Sequence, residues 1–410
     1  MISAESFLLL ISSTLFLCYI SGLIYTKTKI PDIVWLLGFG ILLGPVLGYF
    51  EKESFIYLSP LMGVVALCII TFDSGIGIDV RGFTRTLLKS AVLTVATFLA
   101  VVSMVGYAVS LLMPGTFNLR EGMLLGTMVA GISTVAVTSL LDGLQRLIPN
   151  LESTRALLNL ESILCDPIRI VAAITIIRMI MLPGVSIRDG IRDIVYTFVM
   201  ATIVGIAFGL AWAEVLDRLR GRPLNYMMTL AAIFPTYLLA EVVTGDGGGT
   251  MTVFIFGLVL ANYRYVAKRL GLDRNLRPDK RRIREFNEEM TFLLKSYYFV
   301  YIGLIVTLSP EYLLVGFGIV ALLLAIRYLV ATGVARLMRF SREEGVISRL
   351  VFTLGTSTLV MSQLPAIFDP ERTIFLNPEI YSDLCFPIVL GTVIFTALTS
   401  PAIARRQLRP

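Results

Sequence analysis

A short set of charged residues lies inside long apolar stretches of this 410-residue sequence: Asp73, Glu161, Asp166, Arg169, Arg178, Lys295 and Arg327. An ionised group near the centre of a bilayer costs roughly 2.5–3.5 kcal/mol, so each needs a reason to be there. Asp166 is the best candidate for chemistry, because Pro167 follows it and loosens the helix. A carboxylate in apolar surroundings can hold a proton or exchange it for a small hard cation. Asp166 is therefore predicted to bind a proton or a cation; the alternative is a structural ion pair with an arginine or lysine.

Two further oxygen-bearing side chains are predicted to assist Asp166. Ser162 lies four residues earlier, so it shares a helical face with Asp166 and offers a hydroxyl. Asp73, in the sequence F-D-S-G of residues 72–75, offers a second acidic oxygen. Because glycines follow Asp73 closely, the alternative for this residue is a capping or interfacial carboxylate.

Two of the other intramembrane charges, Glu161 and Arg327, are predicted to be structural. Glu161 and Arg327 have opposite charges and both lie well inside apolar stretches, so we expect them to pair and to pack beside the site. Lys295 has three alternatives, which are a pair with Asp73, a pair with Asp166, or an extended side chain that reaches the lipid headgroups.

Two motifs occur twice in the same order, which indicates an internal repeat. Residues 131–138 and 355–362 read G-x-S-T, three apolar residues and a hydroxyl residue; residues 162–168 and 382–388 read S-x-L-C-x-P-I. Glycine followed by small hydroxyl residues is a poor helix centre, so we expect a helix break in each half that faces a covered cavity. The alternative is that these hydroxyls bond to carbonyls of their own helix. The residues predicted to line the site are Ile132, Ser133, Thr134, Cys165, Thr356, Ser357 and Thr358.

The elements that position these residues are predicted to be membrane helices. Hydrophobic residues make up 56% of the chain and charged residues 16%, with a mean hydropathy of +0.82, which is too apolar for a soluble domain. A spanning helix needs roughly 20 apolar residues. The sequence predicts about thirteen such spans, at about 5–26, 31–49, 56–77, 86–113, 121–141, 156–181, 193–216, 224–243, 249–266, 287–308, 312–335, 347–367 and 381–403.

Lysine and arginine concentrate in alternate loops, which predicts a multi-pass protein of the cell membrane with its N-terminus outside and its C-terminus in the cytoplasm. The repeated motifs then cross the membrane in opposite directions, as in the inverted-topology repeats of secondary transporters. The predicted fold class is therefore an all-α polytopic membrane protein with two inverted-topology repeats and discontinuous crossing helices. Residues 1–182 form the first repeat with the ion site, residues 183–222 form a linker span, and residues 223–410 form the second repeat. A basic cytoplasmic linker is expected at about 267–286, or alternatively a surface helix that touches anionic lipid.

Several classes of protein are excluded by composition. The sequence has no histidine, which excludes Ser-His-Asp triads and histidine metal sites. The four cysteines lie in apolar runs without paired loop spacing, so neither a disulfide framework nor a zinc site is expected, and no cofactor is predicted. An aspartyl protease of the membrane would need G-x-G-D, which residues 75–79 lack, so the protein is not expected to be an enzyme. The net charge of +6 is attributed to cytoplasmic loops and not to nucleic-acid binding.

Residues 161–167, E-S-I-L-C-D-P, resemble the E-S-[IL]-[FL]-N-D-P motif of cation:proton antiporters, specifically the sodium/hydrogen exchanger branch with thirteen spans. The resemblance continues at K-I-P of residues 29–31, at F-D-S-G of residues 72–75, which is similar to F-E-G-G, and at residues 292–303. It implies that Asp166 is the cation and proton carboxylate, that Asp73 and Ser162 assist it, and that Glu161 and Arg327 form a structural pair. It also implies a homodimer.

The chain departs from that family's pattern at four places. Cys165 stands where the family has asparagine, and Lys295 stands at a commonly neutral position. Residues 132–134 replace T-D-P, and residues 355–358 replace G-P-R-G, so that Ser133 stands for an aspartate and Ser357 for an arginine. Our hypothesis is that these two losses remove opposite charges together.

These observations predict a secondary transporter that exchanges a monovalent cation for protons, with Na⁺ the first candidate and K⁺ or Li⁺ the alternatives. Asp166 binds either a proton or a cation, and an empty anionic site is costly to move, so the two fluxes are coupled. Because Cys165 is neutral, one carboxylate dominates, which favours an electroneutral exchange of one cation for one proton. The alternative on the same plan is a sodium-coupled symporter of an organic anion, since the N-termini of half-helices attract anions.

Overall fold

The computed structural model describes residues 4–28, 32–50, 55, 59–78, 86–133, 137, 141, 151–181, 187–219, 222, 225–244, 248–271 and 280–408. In these ranges the regular structure is helical, and no β-strand occurs within them. The helices are α1 (Ala4–Thr28), α2 (Asp32–Ile41, continued by a π-helical turn at Leu42–Val46), α3 (Ser59–Ile76), α4 (Leu87–Leu112), α5 (Leu119–Val129), α6 (Glu152–Met181), α7 (Ile187–Arg218), α8 (Asn225–Thr244), α9 (Gly248–Ala261), α10 (Tyr263–Arg269), α11 (Lys280–Ile305), α12 (Pro310–Leu337), α13 (Arg342–Leu350), α14 (Thr356–Met361), α15 (Leu364–Phe368) and α16 (Glu379–Leu408).

Each of the thirteen apolar segments predicted from the sequence overlaps one of these helices or a group of consecutive ones. Among the described residues, five helices are long and apolar enough by themselves to cross a membrane. A sixth candidate is the pair α9 and α10, which bends by 93° after Ala261. The number of crossings, their orientation and the inverted relation of the two halves stay predictions.

The described part of the predicted linker at 267–286 divides between the end of α10 and the start of α11. Residues 272–279 lie outside the described ranges. The four cysteines, Cys18, Cys68, Cys165 and Cys385, are all buried free thiols.

Two of the predicted segments are interrupted, as the G-x-S-T motifs predict. Helix α5 ends at Val129, and residues 131–133 are not helical. Helix α13 ends at Leu350, residues 351–355 are extended or irregular, and α14 begins at Thr356. Each interrupted segment begins with a capping box, at Asn118 in α5 and at Ser341 in α13, so that both short first helices have a fixed starting point.

The chain divides into two compact units. The first comprises Met1–Gly63, Arg85–Arg169 and Lys295–Pro410. Within it, helices α4 and α5 approach closely at small residues, because a Cβ atom added to Gly126 would lie 2.9 Å from the Cα atom of Val102. Such small-residue contacts let membrane helices pack without the aqueous hydrophobic effect.

The second unit comprises Val64–Thr84 and Ile170–Leu294. Its apolar core includes Phe72 and Phe256, whose ring centroids are 5.3 Å apart. Gly257 lets α9 approach α3, since a Cβ atom there would lie 2.6 Å from the carbonyl oxygen of Phe72. At the bend between α9 and α10, the Asn262 side-chain amide donates to the carbonyls of Ile78, at 2.7 Å, and Leu258, at 2.9 Å.

Candidate ion-binding site

The two interrupted segments meet in the first unit through their non-helical backbone. The Ser133 N–H donates to the Thr353 carbonyl at 2.7 Å. The Ile132 carbonyl accepts from the Ser162 hydroxyl at 2.8 Å. The Leu354 N–H donates to the hydroxyl of Thr392 on α16 at 3.2 Å. Neighbouring elements therefore satisfy backbone groups that the helix breaks leave without helical partners, as a low-dielectric setting requires. We call residues 130–133 and 351–358 the crossover.

The glycine of each G-x-S-T motif explains how closely the crossover is packed. A Cβ atom on Gly355 would lie 2.5 Å from the Ser133 hydroxyl oxygen and 2.7 Å from its Cβ atom. A Cβ atom on Gly131 would collide with the guanidinium of Arg169. Contacts this short do not occur in folded proteins, so only glycine fits either position without a shift of its neighbours.

Asp166 lies on α6 beside this crossover, with 14% of its side-chain surface exposed. Its Oδ1 atom accepts from Arg169 Nη1 at 3.0 Å, across one turn of the same helix. The Cys165 sulfur lies 3.9 Å from that oxygen and 3.1 Å from the Ser162 carbonyl oxygen. Asp166 thus takes part in the ion pair that the sequence allowed as its alternative role, while part of its surface stays accessible.

Arg169 is the main residue of the site to which sequence reasoning gave no role. It is fully buried. Its partners besides Asp166 lie 41 to 42 residues earlier in the chain, at Thr127 and Met128, and 188 to 189 residues later, at Ser357 and Thr358. The only sequence signal was a positive charge in an apolar run, one helical turn after the key carboxylate.

The hypothesis that the chain removed two opposite charges together stays a prediction, but the crossover contains a cation that it did not include. Ser357 does lack the arginine, but the crossover still contains a guanidinium, because Arg169 donates to the Ser357 hydroxyl at 3.2 Å and to the Thr358 hydroxyl at 2.8 Å. The positive charge reaches this place from α6 instead of from the second interrupted segment.

Glu161 and Arg327 form a buried two-point ion pair between α6 and α12. Arg327 Nη2 donates to Glu161 Oε2 at 2.8 Å, and Nη1 bonds Oε1. Arg327 Nε also donates to the Ser348 carbonyl at 2.6 Å, close to the end of α13. The arginine is fully buried and the glutamate is 2% exposed. The pair therefore joins three helices of the first unit, and its two opposite charges cancel.

The remaining predicted site residues are distributed as follows. Lys295, on α11, is half-buried and close enough to Asp166 to act on it electrostatically. Asp73 is half-buried on α3 in the second unit, so its part in a site with Asp166 stays a prediction. Thr356 begins helix α14. Thr134 lies outside the described residues.

Comparison with known proteins now identifies the family. The family described as Sodium/hydrogen exchanger, transmembrane, matches residues 12–405. The chain belongs to this family. Membership places it among membrane transport proteins and not among enzymes, and it agrees with the resemblance seen at residues 161–167.

Three curated relatives carry antiporter or exchanger names. Sodium/hydrogen exchanger 8 of Arabidopsis thaliana is 25% identical over 60% of this chain and 33% of its own length. The K⁺/H⁺ antiporter NhaP of Alkalimonas amylolytica is 23% identical over 84% of this chain and 57% of its own. The Na⁺/H⁺ antiporter 1 of Methanocaldococcus jannaschii is 24% identical over 69% of this chain and 64% of its own. The chain therefore matches between one third and just under two thirds of the length of these relatives.

Solved structures show the same fold. The sodium proton antiporter MjNhaP1 from Methanocaldococcus jannaschii, determined at pH 8, superposes with a TM-score of 0.80 over 95% of this chain and 99% of its own, at 21% identity. A second structure of MjNhaP1, from electron microscopy, gives a TM-score of 0.72 over the full length of both chains, at 20% identity.

Proposed function

We propose that this member of the family exchanges a monovalent cation for protons across the cell membrane and that Asp166 carries both in turn. One observation carries the proposal: a partly accessible carboxylate lies beside the place where two interrupted helices meet. Interrupted helices supply carbonyl and hydroxyl oxygens at membrane depth, which are ligands suited to small hard cations.

Na⁺ is the first candidate for the cation, with K⁺ and Li⁺ as alternatives. The relatives' names support both sodium and potassium, since one is called a K⁺/H⁺ antiporter and another a Na⁺/H⁺ antiporter. In this proposal Asp73 and the oxygen of Ser162 assist Asp166. The Ser162 hydroxyl proton is directed to the Ile132 carbonyl, which leaves an oxygen lone pair as its contribution to a cation.

The proposed stoichiometry is one cation for one proton, and thus electroneutral. Cys165 precedes Asp166, so the motif supplies a single carboxylate where Glu161 is already engaged by Arg327. The assembly proposed from the family resemblance is a homodimer, with the N-terminus outside and the C-terminus in the cytoplasm.

The test uses purified protein in liposomes with an imposed pH gradient. Collapse of the gradient on addition of Na⁺, K⁺ or Li⁺ is compared for wild type, Asp166→Asn and the control Glu214→Gln, which changes a half-buried carboxylate paired with the exposed Arg218. We expect cation-dependent collapse in wild type and the control and none in Asp166→Asn. A voltage-sensitive dye that reports no potential during exchange supports the electroneutral stoichiometry. Equal rates in wild type and Asp166→Asn would contradict the assignment of Asp166.

A second candidate is a sodium-coupled symporter of an organic anion. It is favoured by one observation, which is that two cationic side chains, Arg169 and Lys295, act on the single carboxylate Asp166. Two positive charges beside one negative charge make a site that binds an anion more favourably than a site whose carboxylate has no cationic neighbours. The test is uptake of radioactive Na⁺ into the same liposomes with and without dicarboxylates. Faster Na⁺ uptake when dicarboxylates are added would favour the symporter, and an unchanged rate would exclude it.

A further inference from the structure

Arg169 is a fully buried cation next to the carboxylate that is proposed to carry the ion. A guanidinium has five N–H donors and cannot lose its charge in a protein, so burying it requires a full set of acceptors. Arg169 has such a set. Nε donates to Thr127 O at 3.2 Å, Nη1 to Asp166 Oδ1 and Ser357 Oγ, and Nη2 to Met128 O and Thr358 Oγ1.

Four of these five acceptors belong to the ends of the interrupted helices. Thr127 and Met128 lie in the last turn of α5, where the helix end carries partial negative charge and the Thr127 carbonyl has only a long bond, at 3.4 Å, from the Ala130 N–H. Ser357 and Thr358 lie in the first turn of α14. The guanidinium is therefore held in place by the crossover itself, and Asp166 is the only acceptor of the five with a formal charge.

The position of Arg169 has a direct consequence for ion binding. Its Nη1 atom is 3.0 Å from Asp166 Oδ1, so a cation bound to that oxygen would lie close to the guanidinium. A second positive charge at the carboxylate is repelled by the first, and the low dielectric of the interior strengthens the repulsion. A cation can take Oδ1 only if Arg169 gives up its bond to that oxygen. The other four acceptors would keep the guanidinium in place, and one N–H of Nη1 would lose its partner.

We propose that Arg169 is a tethered internal cation that competes with the transported ion for Asp166 and thereby sets the affinity of the site. The inference rests on the proposed function, because it takes Asp166 as the ion-binding carboxylate. It makes Arg169 an affinity-determining residue in addition to a structural support of the crossover. A site with this competitor binds cations weakly, and releases them readily to either side of the membrane.

The test measures cation binding directly on the full chain in detergent. The melting temperature is followed as NaCl, KCl or LiCl replaces choline chloride at constant ionic strength, and the half-saturating concentration is read from the rise in melting temperature. The variants are Arg169→Gln, Arg169→Lys and Asp166→Asn. The matched control is Arg178→Gln, which removes the same charge from the same helix at a distance of about 13 Å along the axis.

In Arg169→Gln we expect the half-saturating concentration to fall at least about tenfold, the typical weight of one charge beside a carboxylate. Arg169→Lys keeps the charge but has three N–H donors in place of five, so we expect the half-saturating concentration to fall by only about threefold. This variant replaces Arg169→Gln in the test if the glutamine variant does not fold. Arg178→Gln should leave the value unchanged. A purely structural Arg169 would lower the melting temperature without cations and leave the half-saturating concentration as in wild type, which would overturn the inference.

The exchange assay in liposomes separates the two proposals. If wild type exchanges cations for protons but the Arg169 variants have the same half-saturating cation concentration as wild type, the inference fails and the proposed function stands. If wild type and both Arg169 variants neither bind nor exchange a cation, both fail. If only the Arg169 variants bind a cation measurably, the competition is supported in its strongest form.

Discussion

Asp166 and Arg169 form an ion pair across one turn of helix α6, with 3.0 Å between Oδ1 and Nη1, and the arginine reaches both interrupted helices from there. This relationship changes the electrostatic argument for coupled transport. An unloaded Asp166 is not a bare negative charge, because Arg169 neutralises it in place. Under the proposed function, coupling would therefore depend on the competition among proton, cation and guanidinium for Asp166, more than on the cost of moving an empty anionic site.

The first prediction concerns the buried pair of Glu161 and Arg327. Replacing one partner leaves the other charge buried without compensation, which typically costs about 3–5 kcal/mol. We expect Glu161→Gln to lower the melting temperature in detergent strongly. The double variant Glu161→Gln with Arg327→Met should recover a large part of the loss, since no lone charge remains. A double variant as unstable as the sum of its single variants would show that the two side chains contribute independently.

The second prediction concerns the glycines of the crossover. Gly355→Ala places a Cβ atom 2.7 Å from the Ser133 Cβ atom, and overpacking of this kind costs about 1–3 kcal/mol. Gly333→Ala on α12 is the matched control, because nothing lies within 4 Å of the added Cβ, and alanine favours a helix interior. Melting temperatures should fall for the first variant and stay level or rise for the control. The further change Ser133→Gly should restore part of the stability of Gly355→Ala, and no restoration would show that Ser133 is not the obstacle.

Sequence reasoning reached much of this fold because its signals are local. Apolar runs of helical length locate the helices, and the G-x-S-T motifs locate both interruptions, since glycine and small hydroxyl residues weaken a helix wherever they occur. The pairing of Glu161 with Arg327 could be predicted because an ionised side chain inside a membrane needs an opposite charge, and few other charged residues lie in the apolar segments.

The role of Arg169 could not be obtained in the same way. Its acceptors come from α5 and α14, and two of them are backbone carbonyls, which have no signature in the sequence. They become acceptors for a side chain only because α5 ends at Val129. The residue at which a helix ends is difficult to predict from sequence, so a side-chain contact that depends on that position cannot be predicted either.

The third prediction concerns pH and Glu344, a carboxylate outside the predicted spans. Glu344 is 2% exposed and accepts from Lys89 Nζ at 2.8 Å and from Ser153 Oγ at 2.5 Å, so it joins α4, α6 and α13. Burial alone would raise its pKa, but the hydrogen bonds from Lys89, Ser153 and the Ser341 backbone hold the pKa of Glu344 below its usual value of 4.5. Because the folded pKa is the lower one, Glu344 adds stability that is fully present above pH 4.5 and is lost as the pH falls through the folded pKa.

We therefore expect Glu344→Gln to be less stable than wild type at pH 7, with a difference that shrinks as the pH falls below about 4.5. Melting temperatures from pH 7 down to pH 3 give the measurement. Glu343→Gln is the control, since it changes a carboxylate in the same helical turn outside this cluster. A difference between Glu344→Gln and wild type that stays constant over this range would contradict the assignment of the ion pair.

The last prediction asks whether the crossover needs a guanidinium or needs Arg169 in particular. Ser357 Oγ lies 3.2 Å from Arg169 Nη1, so an arginine at position 357 begins beside the same acceptors at the end of α5. Ser357→Arg alone sets two guanidinium groups against each other in a buried place and should destabilise the protein severely. Ser357→Arg with Arg169→Gln removes the conflict, so this double variant should melt at a higher temperature than Ser357→Arg. It should also melt above Arg169→Gln alone, because a guanidinium again meets the carbonyls of Thr127 and Met128. A double variant no more stable than either single one would show that the charge must come from α6, where it also pairs with Asp166.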